Sequence, residues 1–280
     1  MEKITYKCVG GSFNPNPNDP HNLSISTRHT PKYIRWLAKN SHEQADVLFY
    51  IDDGLQAGLN NNQEKYGMLL EARGYIDRYI DVIKNNMELY CQNYKHIFTY
   101  YMDLVELGPP FTYAICGGLP RTELQHRKIH PKNKLVSMLV STNSVLPGHI
   151  KRLGYLEKYK NHMDVYGRGR ATQLVNVEDA YRDYMFSVGM ENQIIDAYFT
   201  DKITDQMANG CVPIYCGSKW AIEEYFDADG VLWTDNTDIE TDLSKDLYDS
   251  MMPHIINNYN IIMNDIPTAE DYIYEHFLMG

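Results

Sequence analysis

The residues best equipped for chemistry lie between two apolar runs in the second half of the chain: Glu191-Asn192, then Tyr198, Thr200, Asp201 and Lys202. Residues 185–190 (MFSVGM) and 212–216 (VPIYC) have the character of buried parallel strands, and residues 201–209 between them have helix-forming composition. A strand, loop, helix, strand unit of this kind puts its loop at the carboxyl edge of the sheet. It also aims the amide end of the helix at whatever binds there. The natural guest is an anion, because Lys202 in the first turn adds a full charge to the partial charge of the helix terminus. Each residue has an ordinary reading as well. Thr200 suits an N-cap, Asp201 a helix first turn, Lys202 a solvated surface and Glu191-Asn192 a strand-ending turn. Their joint spacing favours a binding site.

In that spacing, Glu191-Asn192, five residues, Tyr198-x-Thr200-Asp201-Lys202 and then Val212-Pro213-Ile214-Tyr215-x-Gly217 resemble the donor-binding signature of glycosyltransferase family 10. These are the α-1,3/α-1,4-fucosyltransferases and their short bacterial and viral relatives. The resemblance continues through residues 135–141, Gly148-His149-x-x-Arg152 and Asp164-Val165-Tyr166-Gly167, and so spans residues 133–235. It implies a GT-B-like α/β fold, in which two Rossmann-type parallel-sheet domains face a central cleft. It also implies an inverting transfer of a hexose, most naturally fucose from GDP-fucose, to a glycan hydroxyl.

Such a transfer leaves negative charge on the departing diphosphate, so fixed cations and amide donors placed there assist it. By the resemblance, Arg152 and Lys202 hold the diphosphate, Asn192 belongs to the donor site, and Tyr198 lies near the base and pyrophosphate. Asp201 stands where the family has a Glu that contacts nucleotide or sugar hydroxyls, one methylene longer. Glu191, Thr200 and His149 complete the donor set, although His149, at a helix start near the expected phosphate, could bind the donor or only pack there. Arg152 could instead pair with Glu157 or Asp164. The general base must be a carboxylate or similar group within reach of the acceptor hydroxyl. Glu71 is the candidate, since the family supplies a Glu from a comparable region, and Asp53 (beside Asp52) and Asp103, both at strand ends, are its rivals.

Composition narrows the alternatives. With 280 residues, 44% hydrophobic and 12% aromatic, the chain can bury two cores of ordinary domain size. A net charge of −11 and a pI near 5.3 argue against nucleic acid or an anionic membrane as the main partner. The partners expected are a nucleotide sugar and a glycan acceptor. His149, Lys151, Arg152, Arg168, Arg170 and Lys202 nonetheless cluster in the segment that carries the resemblance. Five scattered cysteines without a C-x-x-C pair suit reduced thiols in cytoplasm. Neither a signal peptide nor an apolar run long enough for a membrane span is visible, so a soluble cytoplasmic protein is expected. No D-x-D stands at a strand end, so no metal or other cofactor is expected. Gly167-x-Gly169 is only a fragment of a dinucleotide-binding turn, which argues against an oxidoreductase. The alternatives are a non-catalytic carbohydrate- or nucleotide-binding protein with the same fold, and a transferase using another nucleotide sugar.

The elements that must position these residues follow from periodicity and breakers. In the first half, strands are predicted at residues 4–11, 47–51, 96–100 and 111–116, with helices at 31–39, 63–71 and 75–90 and a loop at 12–22. Residues 121–134 read as a linker. Beyond it come strands at 135–140, 163–166, 185–190, 212–216 and 231–233, and helices at 148–159, 177–184, 201–209, 220–226, 244–264 and 269–277. The resulting division is an acceptor-side domain at 1–130, a sugar-nucleotide domain at 131–265, and a terminal helix at 266–280 packing back across the boundary.

Overall fold

The structure, a computed structural model, describes residues 3–10, 15, 16, 18, 23–25, 30–38, 40–115, 118–170, 172, 174 and 176–279. Most of the loop expected at 12–22 lies outside them, as do Cys116 and Gly117. The chain forms two compact units, Met1–Gly117 with Pro267–Gly280, and Gly118–Ile266. Each is an α/β unit built on an all-parallel sheet.

The first unit carries six strands, β1 (Ile4–Val9), β2 (Ile34–Trp36), β3 (Val47–Ile51), β4 (Lys65–Leu69), β5 (Ile97–Thr99) and β6 (Phe111–Tyr113), in the order β2-β1-β3-β4-β5-β6. Two of them were expected as helices. Residues 63–71 supply β4, which is buried along its whole length between β3 and β5, so pairing on both sides overrides local helix-forming character. Residues 31–39 supply β2, where Ile34 and Trp36 turn inward and Arg35 outward at period two. One aromatic ring from each of β1, β3, β4 and β5 forms a ladder: Tyr6, Phe49, Tyr66 and Phe98, with successive centroids 5.0, 5.7 and 5.9 Å apart.

The helices α1 (Leu55–Gly58), α2 (Arg73–Lys84), α3 (Met87–Asn93) and α4 (Met102–Val105) complete the first part of the chain. The single helix expected at 75–90 breaks at Asn85-Asn86, where Asn85 caps α2 and Asn86 precedes α3. Glu270, near the C-terminus, belongs to the same unit. Its buried carboxylate accepts hydrogen bonds from Ser24 Oγ, Ile25 N and Trp36 Nε1.

The second unit has strands β7 (Lys134–Leu139), β8 (Asp164–Tyr166), β9 (Tyr184–Met190), β10 (Val212–Cys216) and β11 (Leu232–Trp233), in the order β11-β10-β9-β7-β8. Helices α5 (Pro147–Tyr159), α6 (Asp201–Ala208), α7 (Lys219–Tyr225), α8 (Lys245–Ser250) and α9 (Met252–Asn264) surround them. The helix expected at 177–184 is one 3-10 turn, Val177–Ala180, because Tyr184 already pairs with Lys134 as the first residue of β9. The chain leaves β7 toward β8 on one side, and β9 toward β10 on the other. Loops diverging from neighbouring strands open a crevice at their carboxyl ends. Among the described residues, no helix is long and apolar enough to cross a membrane.

The stretch expected as a linker is instead a strap on the second unit. Buried Asp205 in α6 accepts from Thr122 N at 2.7 Å and Thr122 Oγ1 at 2.8 Å, and Asn209 Nδ2 donates to the same hydroxyl. Buried Arg127 donates to the carbonyls of Thr122 and Pro120. Burial lowers the Arg127 pKa to about 10 and raises that of Asp205, with the neighbouring charge of Asp201 adding to the latter. The expected boundary at 130/131 therefore moves to Gly117/Gly118, since these polar residues are satisfied inside the second unit. Thr122→Ala removes one donor to a buried carboxylate and should lower the unfolding free energy by about 1–3 kcal/mol in urea titrations.

Candidate functional site

The loop that follows β9 begins with Glu191, whose side chain is fully buried. Its carboxylate accepts from Thr200 N (2.9 Å), Thr200 Oγ1 (2.9 Å) and Tyr215 OH (3.0 Å), and pairs with Lys202 Nζ at 3.2 Å. Thr200 is the N-cap of α6, accepting from Lys202 N at 3.2 Å, and the Lys202 ammonium donates to the same hydroxyl at 3.0 Å. The loop is thus tied at both ends to one carboxylate, and the first turn of α6 is fixed with its lysine. Two glycines let the backbones close in. A Cβ on Gly189 would collide with the Lys202 carbonyl, and one on Gly148 with the Asn192 carbonyl, which seats α5 against the same loop.

A cavity of about 590 Å³ occupies the crevice, and Arg121, Arg152, Arg168 and Lys202 reach its wall against a single carboxylate, Asp201. The chain carries a net charge of −11, so this is a local inversion of sign. Arg152 on α5 is buried. It donates to Asn192 Oδ1 at 3.4 Å and leaves its Nε unpartnered. The expected alternatives Glu157 and Asp164 pair instead with Lys160 and Lys134. Burial depresses the Arg152 pKa, Glu191 opposes the shift, and nearby Arg170 reinforces it. Arg170 also leaves a buried Nε without a partner. Two guanidinium groups held close without a carboxylate at salt-bridge distance among the described residues form a site that an anion would relieve.

His149 accepts from Leu146 N at 3.1 Å through Nδ1, and so caps the start of α5 while also lining the cavity. Its pKa is lowered by burial and then by the Arg152 charge, which keeps the ring neutral for that acceptor role. Five of the expected donor residues, His149, Arg152, Asn192, Asp201 and Lys202, meet at this cavity. Glu191, Thr200 and Tyr198 do not line it: the first two hold Lys202 in place, and Tyr198 is buried. Arg121, which pairs with Asp201 at 3.5 Å, was missed, because nothing in the sequence distinguishes it from the other polar residues of the strap.

The candidate bases lie in the first unit. Glu71 follows β4, half-buried, and its carboxylate makes no hydrogen bond or ion pair among the described residues. Asp103 sits exposed in ion pairs with Arg73 and Lys84, and Asp53 is the exposed residue of a 3-10 turn. The neighbour of Asp53 is the more unusual residue. Asp52 is buried at φ +49, its Oδ1 accepts from Leu70 N and Glu71 N, and its Oδ2 has no partner. A non-glycine residue in the left-handed region is uncommon and collects at functional or turn positions.

A further His/Asp group escaped the sequence reading. Asp227, Asp229 and His254 come together, but Asp227 already accepts from His254 Nδ1 at 2.9 Å, Asn257 Nδ2 at 3.0 Å and Asp229 N at 3.2 Å, and caps a 3-10 turn. No metal is assigned to it.

Residues 129–249 match the family profile described as glycosyltransferase family 10 (fucosyltransferase), C-terminal part. Over this stretch the second unit is similar to the C-terminal part of glycosyltransferase family 10. Among solved structures, an α1,3-fucosyltransferase with GDP-fucose is similar at 14% identity over 95% of this chain and 82% of that one, with a TM-score of 0.48. An α1,3-fucosyltransferase with GDP gives 13%, 95%, 82% and 0.48. An S. aureus TarM mutant in complex with Fondaparinux, α-GlcNAc-glycerol and UDP gives 13%, 82%, 52% and 0.45. The similarity to the family thus rests on the sequence match in the second unit. A comparison with curated proteins finds no significant match.

Two outcomes follow. Glu191→Ala strands Lys202 and Tyr215 beside a buried gap, and should cost about 3–5 kcal/mol of unfolding free energy. Asp103→Ala, in an exposed pair, should cost less than about 1 kcal/mol in the same urea series. Burial pushes the Asp52 carboxyl up to about 7. Its unfolded value is about 3.9, so between about pH 4 and pH 7 the folded chain keeps a proton that the unfolded chain releases. Stability should fall as pH rises through that window and level off above it. Thermal unfolding of Asp52→Asn across the window should show a visibly smaller slope.

Proposed function

We propose that the second unit binds a nucleoside diphosphate sugar in its cationic cavity and that the enzyme transfers the sugar, with inversion, to a glycan hydroxyl. The observation that carries this reading is that Arg152 and Lys202 share one cavity at the divergence of β7 and β9, with the amino end of α6 beside them. Charge developing on a departing diphosphate there would meet two fixed cations and the positive end of the α6 dipole. The family description supports fucose as the sugar, and the signature resemblance supports GDP as its carrier. Asn192 orients the Arg152 guanidinium and presents its amide to the cavity, while Arg121 and Arg168 supply further positive charge.

Glu71 is proposed as the general base, because its carboxylate is uncommitted at the carboxyl edge of its sheet, where Asp103 is neutralised. We take the reaction to proceed without a metal, since four cations stand where an ion would otherwise offset the diphosphate charge. The free thiols of Cys91, Cys211 and Cys216 support a reducing, cytoplasmic setting. The Arg121–Asp201 pair favours a second reading on one point. Asp201, already engaged, would make a different contact to the sugar than the longer Glu would, so a nucleotide sugar other than GDP-fucose fits the same cavity.

Calorimetry with GDP, GDP-fucose, GDP-mannose and UDP-sugars tests the donor, and a donor-hydrolysis assay tests turnover. Lys202→Gln, which keeps a donor for buried Glu191, and Arg152→Ala should each weaken GDP binding about ten- to a hundredfold, the value of one charge-assisted contact, in chains that circular dichroism shows to be folded. Wild-type affinity in either variant would refute the phosphate role. Treatment with EDTA should leave turnover unchanged, and a loss restored by a divalent cation would refute the metal-free mechanism.

A further inference from the structure

A second cavity, of about 290 Å³, lies at the carboxyl ends of β10 and β11 against the first turn of α7. Two of the chain's three tryptophans, Trp220 and Trp233, line it, together with the exposed side chains of Asp196 and Asn236 and the half-buried Thr234. Trp220 is 39% exposed, unusual for a residue whose burial is worth so much, and such surfaces commonly mark contact sites.

The charge here differs from that of the first cavity. The wall carries two carboxylates, Asp196 and Asp235. Its one ammonium, Lys219, lies 5.4 Å from the Trp233 ring centroid, while Lys151 is drawn to Asp235 at 3.7 Å. A phosphate would meet repulsion. A neutral ring with one apolar face and several hydroxyls would not: indole faces cover its C–H side, and carboxylate, amide and hydroxyl groups accept and donate around its edge. That description is a pyranose. The volume lies at the lower limit of small-molecule sites and suits one ring.

The two cavities are joined through covalent and hydrogen-bonded structure. Asn192 lines the first and Ile194 to Asp196 the second, on one loop, and Tyr215 in the second donates to Glu191, which holds Lys202 in the first. We propose that this second cavity is a pyranose-binding subsite, serving either the hexose of the donor or a sugar residue of the glycan. The proposal extends the donor-site reading, on which its place in the reaction rests, but the binding itself can be observed alone.

The test uses the full chain labelled with 5-fluorotryptophan and followed by fluorine NMR, with buried Trp36 in the first unit as an internal control. Methyl α-L-fucoside, lactose, GDP and GDP-fucose are titrated separately. A free sugar is expected to move the Trp220 and Trp233 signals and leave Trp36 in place, with GDP alone moving neither. Trp220→Ala should weaken sugar binding about tenfold and leave GDP affinity unchanged, and Trp220→Phe should keep most of the sugar affinity, as expected of a ring that stacks. Lactose shifts that persist with GDP-fucose bound would assign the glycan as the source, whereas competition between methyl fucoside and GDP-fucose would assign the donor hexose. Silence of both tryptophans up to about 50 mM of either free sugar, well above the millimolar range of weak sites, would overturn the proposal. An equal response to GDP alone would overturn it too. Sugar shifts in a chain that binds no GDP would instead sink the donor-site reading and leave this one standing.

Discussion

A carboxylate with no exposed surface accepts from a backbone amide, a threonine hydroxyl and a tyrosine hydroxyl while pairing with a lysine. Glu191 is costly to bury, and only this full set of donors makes the burial tolerable. In return it couples the end of β9, the cap of α6 and the interior of β10. The lysine that lines the cavity is thereby fixed relative to the sheet, so its charge need not reorganise when a ligand arrives. Without that knot, the loop from Asn192 to Phe199 would connect the two cavities without positioning either.

Around this knot the second unit concentrates positive charge in a protein that is acidic overall. The arginines of the cavity are not neutralised in the usual way. Arg152 is buried with an open Nε, Arg170 crowds it, and the partner of Arg121 is the one acid in the wall. The same unit places an aromatic, acid-bearing cavity next door, on the same loop. Neighbouring sites of opposite character, one suited to phosphate and one to a neutral ring, are what a ligand with a charged half and a sugar half requires.

The sequence made the core of this second unit legible. The strands β9 and β10, the helix α6 and the cap at Thr200 fall where the apolar runs and the Thr-Asp-Lys signal put them, because each depends on short-range pattern and capping chemistry. Legibility failed where a segment's fate was set by distant partners. Residues 63–71 have the composition of a helix, yet they fill the middle of a six-stranded sheet. Residues 121–134 have the composition of a linker, yet Asp205 binds Thr122 across 83 positions of chain. Residues 177–184 gave way to the register of β9.

The sequence alone determined which chemistry was available. The order Glu-Asn, Tyr-x-Thr-Asp-Lys and Val-Pro-Ile-Tyr fixes a parallel-sheet loop facing a helix terminus, since those signals are local and survive any packing. Tertiary structure decided which of the residues face a ligand and which hold others in place. Glu191 and Thr200 turned inward, Arg121 and Arg168 joined the wall, and two tryptophans thirteen residues apart came to share one cavity. The physical reason is that burial and hydrogen-bond partnership belong to the packed whole. A side chain's role depends on which groups, remote in sequence, are left to satisfy it.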